Sequence, residues 1–135
     1  MSAGAGYSGK PVWQKLGLQP GQRLRVIDAP SDYATLVEAD PSSIAPNEHN
    51  DELELVHLFV RRQADLMPAL RQWLPRIVAG GMCWVSWPKK NSPLHRDLTE
   101  DGVRAAALPL GWVDVKVCAI DADWSGLKLL RRRDG

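Results

Sequence analysis

The sequence predicts an α/β protein: a single three-layer domain built on a mostly parallel five-stranded sheet with a C-terminal antiparallel hairpin. Three observations carry this. Residues 53–60 (LELVHLFV) and 82–87 (MCWVSW) are nearly continuous apolar runs, as strands covered on both faces should be. Between the runs lie segments whose apolar residues recur at helical spacing. The last two runs, 112–121 and 124–131, are separated only by Ala122-Asp123, a link that permits a hairpin and no crossover. A chain of 135 residues is one domain's worth of core.

Each element follows in order. Residues 1–9 are small and Gly-rich and are expected to be a flexible tail, leaving 10–135 as the domain. Val12, Trp13 and Leu16 lie within a turn of one another and precede Gly17, which predicts a short helix closed by a left-handed glycine. Pro20-Gly21 turns the chain into the first strand, 24–28. After the Ala29-Pro30 break, Ser31 is placed to cap a short helix running to about Glu38. Residues 40–50, with Pro41, Pro46 and Asn47, read as a surface loop.

Beyond the second strand, Asp65 is expected to cap a helix with Leu66, Leu70, Trp73, Leu74 and Ile77 on its apolar face. Pro68 falls in its first turn, while Pro75 predicts a kink or termination near Arg71. Gly80-Gly81 reads as the stop before the third strand. Thr99 is the expected cap of the next helix, with Glu100 and Asp101 against its positive end and Leu98 stapled on Val103. Val103, Ala106, Ala107 and Leu110 form its buried face. The alternation in 112–121 predicts a strand with one wetter face, at a sheet edge. Right-handed crossovers then place helices on both faces of the sheet.

Composition excludes several function classes. A net charge of +1 gives no general attraction to nucleic acid or to a membrane surface. Acidic residues gather between Glu38 and Glu54 and three arginines stand at 131–133, which reads as a solvated face and a charged tail. Cys83 and Cys118 fall inside strands as buried thiols, and no metal-ligand spacing exists. The chain shows neither a signal peptide nor an apolar stretch of membrane-spanning length, so a cytoplasmic location is expected.

Open α/β sheets bind ligands outside the carboxyl ends of their parallel strands. Those ends carry Asp28 to Pro30, Arg61 and Arg62, and Ser86 to Asn91, with the turn 121–125 on the same rim. The candidate ligand site is Asp28, Ser86, Trp87, Lys89, Lys90, Asp121 and Trp124. Lys89 and Lys90 would meet an anionic small molecule, Trp87 or Trp124 would wall it, Ser86 would donate a hydrogen bond and Asp28 would orient a polar group. The competing assignment pairs Lys89 or Lys90 with Asp121 or Asp123 and uses the tryptophans as packing. His57, mid-strand, reads as a hydrogen-bonded core histidine, and His49 and His95 are isolated in loops. Ser86, His57 and Asp28 can be drawn as a triad, but no Gly-x-Ser-x-Gly elbow is present and no catalytic residue is assigned.

The strand LELVHLFV, the crossover helix, the glycine pair before MCWVSW, the following helix and the closing hairpin together resemble the carboxyl half of class I S-adenosylmethionine-dependent methyltransferases. That resemblance implies a Rossmann/methyltransferase-like fold with the final strand inserted antiparallel beside residues 82–87. KLGLQPGQ (15–22) and WSGLK (124–128) are similar to segments of a small bacterial family of uncharacterised "domain of unknown function" proteins, which implies the fold and no activity. The methyltransferase pattern also implies a Gly-rich turn after the first strand and an acidic end on the next. Here the turn is DAPSDY (28–33), without glycine, and the following segment is a polar loop. The expected function is therefore a degenerate, cofactor-free binding or regulatory module, associating with a protein partner or with itself through an exposed edge or a Trp-rich face. The alternative is an enzyme or binder that holds an anionic small molecule with Ser86–Lys90, Asp28 and Asp121.

Overall fold

The computed structural model describes residues 10–46 and 49–133. The expected tail 1–9 and the centre of the 40–50 loop lie outside the described residues. The elements run α1 (Val12–Leu16), β1 (Leu24–Ile27), α2 (Tyr33–Leu36), β2 (Leu53–Phe59), α3 (Gln63–Trp73), β3 (Ile77–Pro88), α4 (Glu100–Ala107), β4 (Trp112–Ala119) and β5 (Trp124–Arg131). They form one five-stranded sheet of order β1-β2-β3-β5-β4.

The sheet is mixed, not mostly parallel. β1, β2 and β3 run parallel, while β5 is antiparallel to both of its neighbours, β3 and β4. The physical reason is the short link before β5: a hairpin brings one antiparallel ladder of its own and makes a second where β5 docks on β3. Helices cover both faces. Leu66 and Leu70 of α3 and Val103 and Ala106 of α4 pack with Leu58, Val85 and Leu127. On the other face Leu16 of α1 and Tyr33 and Leu36 of α2 pack with Leu55, Trp84 and Trp124.

Local chemistry moved several boundaries. Asp32, not Ser31, caps α2: its Oδ2 accepts from the Thr35 N–H at 3.1 Å and from the Thr35 hydroxyl at 2.9 Å. The following loop is not wholly on the surface, since Ile44 is only 3% exposed and packs among the α1 and α2 residues. α3 begins at Gln63, ahead of Asp65, because a distant carboxylate serves as its cap: the Gln63 N–H donates to Asp97 Oδ1 at 2.8 Å. Pro68 therefore sits inside the helix, and Pro75 falls in a 3₁₀ turn (Leu74–Arg76) after α3 has run on to Trp73, past the termination expected near Arg71.

Ile77 opens β3 instead of closing the helix, and Gly80-Gly81 lie within the strand. Register with β2 jumps from Leu53 opposite Ile77 to Leu55 opposite Met82, so the glycines form a bulge and not a stop. A Cβ on Gly81 would lie 2.6 Å from Ile77 Cγ2 and 2.9 Å from the Glu54 carbonyl oxygen, closer than the backbone there can yield.

α4 follows its sequence signals. Thr99 Oγ1 accepts from the Gly102 N–H at 3.1 Å, and Leu98 and Val103 are both fully buried in one cluster. Replacing Thr99 by Ala is expected to lower unfolding free energy by about 1 kcal/mol in urea titrations, with Thr99→Ser restoring most of it. An unchanged midpoint for Thr99→Ala would rule out the capping role.

β4 is an edge strand as expected, but its valine face is not the core face. A register shift between Asp114 and Lys116 leaves Val115 and Val117 50% and 47% exposed while Cys118 is buried. Arg104 ties α4 to this strand by donating to Asp114 Oδ2 at 2.8 Å, and it also pairs with Asp101 and Glu100. Its hydrogen bond holds the Asp114 carboxyl below the usual carboxylate range.

Candidate functional site at the carboxyl rim

Two clefts open at the carboxyl ends of the parallel strands. The first, about 410 Å³, lies at the ends of β1 and β2, with Ile27, Leu58 and Trp124 among its lining residues. Its mouth carries Arg61, Arg62 and Arg96 together with Asp28 and Asp65. The second, about 510 Å³, lies between the end of β3 and the start of α4 and is lined by Trp87, Lys89, Lys90, His95 and Ser125, among others.

The segment 89–98 crosses the rim and separates the two. One end is fixed where the Lys89 N–H donates to the Asp123 carbonyl at 2.7 Å and Lys89 Nζ to the Asp121 carbonyl at 2.8 Å. The other end is fixed by the Leu98 N–H on the Arg61 carbonyl at 3.2 Å and by Asp97 on α3. Arg96 is carried on this segment, its Nη1 donating to the Leu94 and His95 carbonyls. Arg61 lies over the Trp124 ring, 5.9 Å from its centroid. Among the described residues, no hydrogen bond or ion pair reaches the Arg62 guanidinium, and no ion pair forms between the three arginines and Asp28 or Asp65.

The seven sequence-selected residues do not form one site. Asp28 and Trp124 line the first cleft, and Trp87, Lys89 and Lys90 line the second. Asp121 caps the turn into β5, its Oδ1 accepting from the N–H groups of Asp123 and Trp124 at 2.9 and 2.8 Å. Lys89 does reach that turn, but through a backbone carbonyl and not a carboxylate. Ser86 leaves the rim altogether. It is fully buried, its Oγ 2.7 Å from His57 Nε2, while His57 Nδ1 lies 2.7 Å from the Tyr33 hydroxyl.

This Tyr33–His57–Ser86 chain has the partners of a nucleophile relay but none of its access, since all three residues are buried. Burial pushes the His57 pKa down to about 3 and the Tyr33 phenol upward, so both stay neutral at pH 7. Its third member is Tyr33; Asp28 is exposed elsewhere. The chain is a satisfied core network.

No protein-family model matches the chain, and no curated protein sequence matches it. Solved structures do resemble it. The mitomycin 7-O-methyltransferase MmcR aligns with a TM-score of 0.60 at 11% identity, over 83% of this chain and 50% of its own. The magnesium protoporphyrin IX methyltransferase ChlM of Synechocystis PCC 6803, solved with bound SAM, aligns at 0.55 and 10% identity, over 83% and 71%. A putative type 11 methyltransferase from Sulfolobus solfataricus aligns at 0.51 and 12% identity, over 84% and 87%. The fold is thus methyltransferase-like: a Rossmann-like α/β sheet with an antiparallel C-terminal hairpin, similar to that of class I S-adenosylmethionine-dependent methyltransferases. The chain spans about half the length of MmcR.

The residues present do not fit the cofactor of those enzymes. The turn after β1 makes its left-handed step at Asp28 (φ 62°) with no glycine, then enters α2, whose Tyr33 and Ala34 are buried. β1 ends the sheet among the described residues, so no adjoining strand end supplies a carboxylate for ribose hydroxyls.

Arg61 and Arg62 could be placed on the rim from sequence. Arg96 could not, because it reaches the cleft only through the path of segment 89–98, which no local pattern encodes. Tyr33 had a faint signal, as an aromatic residue on the buried face of a short helix.

Proposed function

We propose that this chain is a small-molecule binding domain on a methyltransferase-like scaffold, one that takes an anionic ligand at the carboxyl rim and transfers no methyl group. The observation that supports this best is the first cleft. Three guanidinium groups line one concave site, and among the described residues no ion pair to a carboxylate neutralises them, so they stand available to an anion that enters it. Guanidinium groups suit carboxylate and phosphate oxygens because their planar fork donates two parallel hydrogen bonds. Arg61 is already steadied on Trp124, which lowers the ordering cost of binding. The glycine-free turn supports the absence of methyl transfer. The KLGLQPGQ and WSGLK segments support membership of the uncharacterised family named above, and two buried free thiols fit a cytoplasmic setting. No helix among the described residues is long and apolar enough to cross a membrane.

Thermal-shift and calorimetric titration with polyanionic metabolites should show saturable stabilisation, about 2.7 kcal/mol at a ligand concentration one hundred times Kd. S-adenosylmethionine should produce none. The Arg61→Ala, Arg62→Ala double variant should lose at least about 30-fold in affinity, and Lys89→Ala, Lys90→Ala should not. Saturable S-adenosylmethionine binding, or no response to any anion, would overturn the reading.

A further inference from the structure

We propose that the ligand of the first cleft is a phosphorylated, hydroxyl-bearing small molecule, with its phosphate on Arg61, Arg62 and Arg96 and a hydroxyl on Asp28. This deepens the anion-binding reading and rests on it. Three guanidinium groups around one mouth exceed what a single carboxylate needs, whereas a phosphate monoester dianion offers three terminal oxygens to them. Arg61 is oriented by Trp124 and Arg96 by the carbonyls of Leu94 and His95, so two of the three are held in place before any ligand arrives.

The carboxylates decide the rest of the ligand. Asp65 lies in the first turn of α3, where the positive helix end accounts for it. Asp28 has no such account. It is one of three described non-glycine residues at positive φ, with Glu38 and Glu52. Glu38 accepts from the Val12 N–H with its carboxylate and Glu52 accepts from Arg23 Nε with its carbonyl, each holding a neighbouring segment. Asp28 makes no hydrogen bond among the described residues, yet it occupies a conformation glycine would adopt at lower cost. A carboxylate accepts hydrogen bonds and repels a bare phosphate, so a ligand that satisfies both sides must bring a donor to Asp28. Ile27 and Ala69, both partly exposed, line the same cleft and would meet the carbon skeleton between the two polar ends.

Calorimetry on the full chain, with ribose 5-phosphate, AMP, inorganic phosphate, citrate and L-glutamate in turn, tests this. Ribose 5-phosphate or AMP should bind at least about 10-fold more tightly than inorganic phosphate, and the tighter of the two tells a sugar phosphate from a nucleotide. Asp28→Gly, which adopts the same backbone conformation and carries no side-chain acceptor, should remove that advantage and leave phosphate binding intact. Equal affinity for ribose 5-phosphate, AMP and phosphate overturns the hydroxyl assignment but leaves anion binding standing. Preference for citrate or glutamate overturns the phosphate assignment and likewise spares the broader reading. Absence of binding by all five overturns both.

Discussion

Acidification below pH 6.5 is expected to destabilise the protein by about 1.4 kcal/mol per pH unit through His57 alone. Its pKa falls from 6.5 in the unfolded chain to about 3 in the fold, because the ring is fully buried. Between those values the unfolded state binds the proton and the folded state does not. Stability therefore rises with pH across this window, is complete above 6.5, and is lost as pH falls toward 3. The full loss, roughly 5 kcal/mol, is comparable with the total stability of a small domain. His57→Leu separates this from general acid effects. At pH 7 the variant should be about 2–4 kcal/mol less stable, since the hydroxyls of Tyr33 and Ser86 each lose a partner in the core. Below pH 6.5 it has nothing to titrate there, so its stability should stay flatter and the two curves should converge near pH 4. Asp32 and Asp114, held low by hydrogen bonds from Thr35 and Arg104, begin to contribute from about pH 5 downward, but equally in both proteins, so the difference between the two curves still reports His57. Parallel slopes for both proteins between pH 6.5 and 4 would exclude His57 as the titrating group.

The strands were legible because their signal is local. LELVHLFV and MCWVSW carry enough apolar residues to declare burial on both faces, and the short link before Trp124 declares a hairpin. The boundaries that moved did so through partners far away in sequence. Asp97 starts α3 at Gln63 from 34 positions off, and the bulge at Gly80-Gly81 exists because β3 must re-register against β2. Mixed sheet polarity followed from where the hairpin docks, which pattern alone does not weigh. The alternation in β4 marked an edge strand but could not tell which face is covered, because one shifted residue near Val115 exchanges the two faces of the strand.

The site was less legible than the fold. Rim positions follow from strand ends, so Asp28, Arg61 and Lys89 could be placed there. Which way a side chain points at a strand end depends on its parity in the sheet. Ser86 and Trp87 are adjacent in sequence, yet Ser86 turns to His57 beneath α2 while Trp87 turns to the α3 and α4 face. A set of rim residues read as one wall was for this reason divided between two clefts and the core.

Trp84→Ala is expected to cost about 3–5 kcal/mol, the range for deleting a fully buried aromatic side chain. Its role extends past volume. The indole N–H donates to the Leu16 carbonyl at 2.8 Å and so fastens the end of α1 to the middle of the sheet. A five-residue helix has no stability of its own, so α1 exists only while it is docked. β5 makes room for the ring with glycine: a Cβ on Gly126 would lie 3.2 Å from Trp84 Cε3 and 3.1 Å from Ser86 Oγ. Trp84→Phe keeps most of the ring and removes only the donor, leaving the Leu16 carbonyl unpaired at a cost of about 1–2 kcal/mol. That loss should be local. Amide exchange at Trp13 and Leu18, whose N–H groups bond to the carbonyls of Val37 and Trp13, should accelerate by about 10-fold. Exchange at Val56 and Val85 in the central strands should change far less. Unchanged protection at Trp13 and Leu18, or an equal loss at all four amides, would show that the hydrogen bond does not fasten α1.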